Sequence, residues 1–127
     1  MEKIKEISIK NSEDIILARQ SVRELARELG FGLVDQTRIT TAVSELARNI
    51  YMYAKKGMIS IRTVSEIGKM GIEIIAKDNG PGIIDIEMAI QGGGGGQGLP
   101  GTKRLMSEFE IKSKVGIGTT VVVKKWL

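Results

Sequence analysis

Asp78-Asn79-Gly80-Pro81-Gly82 decides how the rest of the chain is read. It ends a β-patterned run with residues that turn the backbone and forbid regular structure. Just before it, residues 58–67 and 72–77 are rich in Ile and Val, with Gly68-Lys69-Met70-Gly71 between them. That is the pattern of a β-hairpin. Well after it, residues 108–114 and 119–125 repeat the arrangement across Val115-Gly116-Ile117-Gly118. Between the hairpins, residues 85–91 suit a short helix and residues 100–106 a second one, with Pro100 near its first turn. Gly92 to Gly96 is five glycines in a row, too rich in backbone freedom for either regular element.

Toward the N-terminus the period changes from two to about 3.6. Ile39, Ala42, Val43, Leu46, Ala47, Ile50 and Tyr53 mark the apolar face of a helix over 36–54, capped by Asp35 and ended by Gly57. Its other face holds Arg38, Thr41, Glu45, Arg48 and Asn49. Residues 31–34 connect it to an earlier amphipathic helix carrying Ile15, Ile16, Val22, Leu25, Ala26 and Leu29. Ser12 is the expected N-cap of that helix, and Gly30 stops it. Ile4, Ile7 and Ile9 suggest a half-buried first strand. The order β-α-α-β-β-α-α-β-β predicts an α+β fold of two layers, with a mainly antiparallel sheet and helices on one face. No repeat or linker divides residues 1–127, so one domain is expected.

Composition narrows the chemistry. The 127 residues include no Cys and no His, which removes thiolate nucleophiles, Ser-His-Asp triads and Cys- or His-based metal sites. Any catalysis must use carboxylates, amides, hydroxyls, Lys, Arg or a borrowed metal ion. The net charge of +4 is spread among acids, and aromatics are only 4%, so nucleic-acid binding is not expected. No run approaches the roughly 20 apolar residues of a membrane span. The first residues lack the apolar core of a signal peptide, and a cytoplasmic location is expected.

Three glycine clusters could bring backbone close to an anion: Gly80-x-Gly82, Gly92 to Gly101 and Gly116-x-Gly118. The second opens a helix, which adds free N–H donors and points to phosphate. Thr102-Lys103 after Gly101 is not a Walker A ending, and neither H-R-D nor D-F-G is present. Glu45 and Asn49 are one helical turn apart, so a carboxylate for proton transfer and an amide oxygen for Mg2+ could share a face. A solvated face with Glu45 paired to Arg48 accounts for the same residues. Asp78 could accept a hydrogen bond from an exocyclic amine, or could simply close an Asx turn. Lys103 and Arg104 read either as solvated or as contacts to phosphate or an acidic partner.

Taken together and in order, Ser44-Glu45-Leu46-Ala47-Arg48-Asn49, Asp78-Asn79-Gly80-Pro81-Gly82, Gly96-Gln97-Gly98-Leu99 and Gly116-Ile117-Gly118-Thr119-Thr120 resemble the boxes of the GHKL, or Bergerat-fold, ATP-binding superfamily. Within it the chain looks most like the small bacterial anti-sigma-factor serine kinases, in particular those of the RsbT-type stressosome switch. Residues 26–53 and 97–108 carry that closer resemblance. It implies a Mg2+- and ATP-dependent protein serine/threonine kinase. Glu45 would be the general base, and Asn49 would ligate Mg2+. Asp78 would bind adenine N6, with Gly80 and Gly82 letting backbone close over the base. Gly96 and Gly98 would approach the phosphates, Leu99 and Gly101 would belong to the same turn, and Thr119 would sit near adenine. The implied partners are STAS-domain substrates of the RsbS and RsbR type and an RsbU-type phosphatase. One departure is visible: the lid segment shrinks to Gly92–Gly96, and no Lys or Arg lies between Lys77 and Lys103. A nucleotide-responsive binding module with little catalysis is therefore the alternative.

Overall fold

The computed structural model describes residues 4–86, 90 and 99–127. The sheet has five strands: β1 (Ile4–Ile9), β2 (Gly57–Glu66), β3 (Lys69–Asp78), β4 (Glu108–Lys114) and β5 (Gly118–Trp126). Their order is β1-β2-β3-β5-β4, and every pairing is antiparallel. The mainly antiparallel sheet expected is antiparallel throughout the described residues. Side chains alternate as the strand period requires. Ile59 and Ile61 of β2, Ile72 and Ile74 of β3, and Val121 and Val123 of β5 are buried.

That buried face is covered by α1 (Ser12–Leu29) and α2 (Leu33–Asn49), with α3 (Leu99–Leu105) alongside. α1 buries Ala18, Val22, Leu25 and Ala26, and α2 buries Ile39, Val43, Leu46 and Ala47. Each fully buried Ile, Leu or Val contributes about 1.5–3 kcal/mol from apolar area alone. The buried apolar residues form one cluster between the helices and the sheet.

Several boundaries differ from expectation for local reasons. Asn11, not Ser12, caps α1, its Oδ1 accepting the Asp14 N–H at 3.1 Å. Both residue types cap well, and the extended backbone of Asn11 decides between them. Gly30 ends α1 in the left-handed region at φ 97°, as expected. α2 begins at Leu33 behind an extended Gly32 rather than at Gln36 behind an Asp35 cap. Asp35 instead pairs with Arg38 at 3.1 Å and lies 3.8 Å from Lys125. The connector is held by Gln36, whose buried Nε2 donates to the Phe31 carbonyl at 2.7 Å.

The long helix expected over 36–54 is two elements. α2 closes at Asn49 and continues as a π-helical turn, Ile50–Ala54, which Lys55 ends at φ 72°. Gly57 does not stop the helix; it starts β2. The first hairpin turns at Ile67-Gly68, tighter than expected, with Gly68 at φ 79°. The second hairpin and α3 fall within a residue of their expected places. Of the short helix expected over 85–91, Ile86 and Ile90 are helical and most of the rest lies outside the described residues, as does the Gly92–Gly96 segment. No helix among the described residues is long and apolar enough to cross a membrane.

Candidate functional site

A cavity of about 480 Å³ opens where α2, the π turn, β3, β5 and the start of α3 converge. Leu46, Ile50, Ala76, Val121 and Leu99 supply apolar walls, while Asn49, Asp78 and Thr119 supply polar groups. The size and the mix of apolar walls with few polar groups are those of a small-ligand site.

Sheet register brings the polar groups together. Asp78 is the last residue of β3, and its Cα partner on β5 is Thr119. Thr119 is in turn opposite Ser113 on β4, and their hydroxyl oxygens are 2.8 Å apart. Ser113 Oγ also accepts the Ile83 N–H at 2.7 Å, and Gly116 N–H donates to the Pro81 carbonyl at 2.9 Å. The loop after Asp78 is therefore tied to the β4–β5 hairpin at two points. Asp78 itself closes an Asx turn, Oδ1 accepting the Gly80 N–H at 2.8 Å. A carboxylate has a second oxygen, so the turn and a ligand contact are compatible.

Two glycines are required by packing. A Cβ on Gly80 would lie 2.5 Å from the Ala54 Cβ, so Gly80 lets the loop rest on the π turn. A Cβ on Gly118, at φ 148°, would overlap the Asp78 carbonyl. Gly82 lines the cavity at φ 79°, pressed against the Lys114 carbonyl. Gly82 and Gly118 thus fit the loop to the hairpin, and Gly80 fits it to the π turn.

Among the residues singled out from sequence, Asn49, Asp78, Gly82, Leu99 and Thr119 line the cavity together. Among the described residues, Gly80, Gly101, Lys103 and Arg104 do not line it. Gly96 and Gly98 lie outside the described residues. Glu45 lines a different, polar groove between α1 and α2, with Arg19, Arg23, Thr40 and Arg48. Its Oε1 is 2.7 Å from Arg48 Nη1. Ser113, Ile83 and the π turn were missed. Ser113 hides in an alternating strand, and only the β3-β5-β4 order reveals its neighbours.

Asn49 sits at the rim of α2 with an amide oxygen, the hard donor that Mg2+ takes, and the remaining coordination would come from phosphate and water. Among the described residues no group of three acidic side chains could hold a metal alone.

Residues 10–125 match the family model of the histidine kinase-like ATPase domain, and the chain belongs to that family. It is 55% identical over 126 residues to serine/threonine-protein kinase RsbT of Bacillus subtilis (strain 168), covering 95% of each chain. It is 33% identical to the anti-sigma F factor of Caldanaerobacter subterraneus subsp. tengcongensis, covering 94% of this chain and 90% of that one. The crystal structure of the RsbU and RsbW domains of Rv1364c from Mycobacterium tuberculosis superposes with a TM-score of 0.65 at 21% identity. That match covers 97% of this chain and 32% of the other, and it is a likeness of fold.

Proposed function

We propose that this chain is an ATP-dependent protein serine/threonine kinase acting as a partner switch in bacterial stress signalling. The observation that carries the reading is one cavity holding Asp78, Thr119 and Asn49 among apolar walls. Kinship at 55% identity to a protein named as a serine/threonine kinase supports it.

Adenine lies between the apolar walls, its exocyclic amine donating to Asp78. The phosphates would run toward Asn49, whose amide oxygen would hold a Mg2+ that supplies charge neutralisation there. The substrate hydroxyl oxygen bonds to the γ-phosphorus as the bond to the ADP oxygen breaks, and Glu45 takes the hydroxyl proton. Glu45 faces the α1–α2 groove, so a protein substrate would present its hydroxyl along that groove. The substrates are STAS-domain proteins of the RsbS and RsbR type, and the partner activated afterwards is an RsbU-type phosphatase. The setting is the cytoplasm.

Incubation with Mg2+, ATP and a STAS-domain protein tests the reading, with mass spectrometry to find phosphoserine or phosphothreonine. Glu45→Ala should lower the transfer rate by about 10²–10⁴-fold. Undiminished transfer rejects Glu45 as the base.

A second reading has one observation in its favour: Glu45 is paired with Arg48 and does not line the nucleotide cavity. A nucleotide-responsive binding module would keep every activity in Glu45→Ala and lose nucleotide affinity in Asn49→Ala.

A further inference from the structure

β4 stands at one end of the strand order, with β5 as its one strand neighbour among the described residues. Such an edge offers a row of backbone donors and acceptors to another strand. Its sequence is Glu108-Phe109-Glu110-Ile111-Lys112-Ser113-Lys114, with the acids in the first half and the bases in the second. Glu108, Glu110, Lys112 and Lys114 are all exposed, and they alternate with half-buried Phe109, Ile111 and Ser113. The four charges therefore share the sheet face that points away from the helices.

We propose that β4 pairs with β4 of a second copy of this chain, antiparallel and centred on Ile111, joining two sheets into one. A two-fold axis through Ile111 sets Glu110 opposite Lys112 of the second copy and Glu108 opposite its Lys114. Both contacts occur twice, as an isologous interface demands. Opposite charges directly across a strand pair stabilise it, and like charges oppose it. Parallel self-pairing would set acid against acid and base against base, so the sign reversal selects the antiparallel arrangement. In the single chain, Glu110 and Lys112 are 3.7 Å apart on the same strand, exposed by 65% and 81%. Among the described residues neither side chain has a second hydrogen bond or ion pair, whereas Glu108 Oε2 accepts the Trp126 Nε1–H at 2.6 Å, so the Glu110–Lys112 contacts carry the pairing. Scattered charges would be enough merely to protect an edge from aggregation. The other edge shows the contrast: folding β1 on itself sets Lys5 against Ser8 and Glu6 against Ile7.

Sedimentation velocity over a concentration series tests this with three proteins. The unaltered chain should dimerise, and added salt should weaken the dimer. Glu110→Lys sets Lys against Lys, and Lys112→Glu sets Glu against Glu. Each should raise the dimer dissociation constant at least tenfold while leaving the folded monomer intact, read by circular dichroism. Mixing the two variants in equal amounts should restore dimers, because every facing pair is again opposite in charge. An unaltered chain that stays monomeric to about 1 mM overturns the proposal. So do variants that dimerise as the unaltered chain does, or a mixture that stays monomeric. The result does not depend on whether the chain transfers phosphate.

Discussion

Asp78 and Thr119 face one another across β3 and β5, and Ser113 Oγ lies 2.8 Å from the Thr119 hydroxyl. One row of three strands thus positions a carboxylate, a cavity hydroxyl and the strut that holds the next loop. Ser113→Ala removes the acceptor of the Ile83 N–H and the partner of Thr119. Losing such a bond costs about 1 kcal/mol. The expected result is a lower thermal midpoint and about fivefold weaker ATP binding, read by calorimetric titration. Unchanged affinity would detach the hairpin from the site.

Gly118 and Gly116 separate two costs of a side chain. Gly116, at φ 79°, has open space where a Cβ would stand, so Gly116→Ala pays only the left-handed backbone term of about 1–2 kcal/mol. At Gly118 the Cβ also meets the Asp78 carbonyl, and β3 and β5 must part. Chemical denaturation should show Gly118→Ala to be the more damaging by at least about 2 kcal/mol. Equal losses would contradict the close approach.

Base preference should follow from Asp78. A carboxylate accepts from the amine of adenine and faces an oxygen in guanine, an unpaired contact that costs about 1–3 kcal/mol. ATP should bind about ten- to a hundredfold more tightly than GTP. Asp78→Asn can donate as well as accept, so the gap should narrow while the Gly80 turn survives. Competition with a fluorescent nucleotide measures both.

A core substitution gives the scale for these effects. Ile74, on β3 two strand turns before Asp78, is fully buried under the helices. Ile74→Ala should cost about 2–5 kcal/mol in denaturant unfolding. A loss below about 1 kcal/mol would mean that the sheet and helices are not packed as described.

The elements visible in the sequence were those with a strong period. α1, the two hairpins and α3 follow from where Ile, Val, Leu and Gly recur. Boundaries failed where two residues offered the same chemistry: Asn11 and Ser12 both cap, and Asp35 looked like a cap although extended Gly32 starts α2. The π turn escaped because Ile50–Ala54 continues the apolar period of α2. What sets it apart is tertiary: Ile50 and Ala54 meet Gly57 and Gly80, which are distant in pattern. In the site, Asp78 was legible from its place at a strand end and Asn49 from its spacing to Glu45 on one helical face, while Thr119 came from the family resemblance alone. The separation of Glu45 from them was not legible, because spacing fixes a helical face and not which groove that face meets.

Thermal unfolding with nucleotide tests whether the cavity between α2 and the β3–β5 strands holds ATP. At 100 times its dissociation constant, Mg2+-ATP should add about 2.7 kcal/mol, a rise of roughly 10 °C in the midpoint for a chain of this size. Asn49→Ala should lose most of that rise at the same nucleotide concentration while keeping the midpoint of the free protein. A midpoint that Mg2+-ATP leaves unmoved, or an equal rise in Asn49→Ala, would contradict the account.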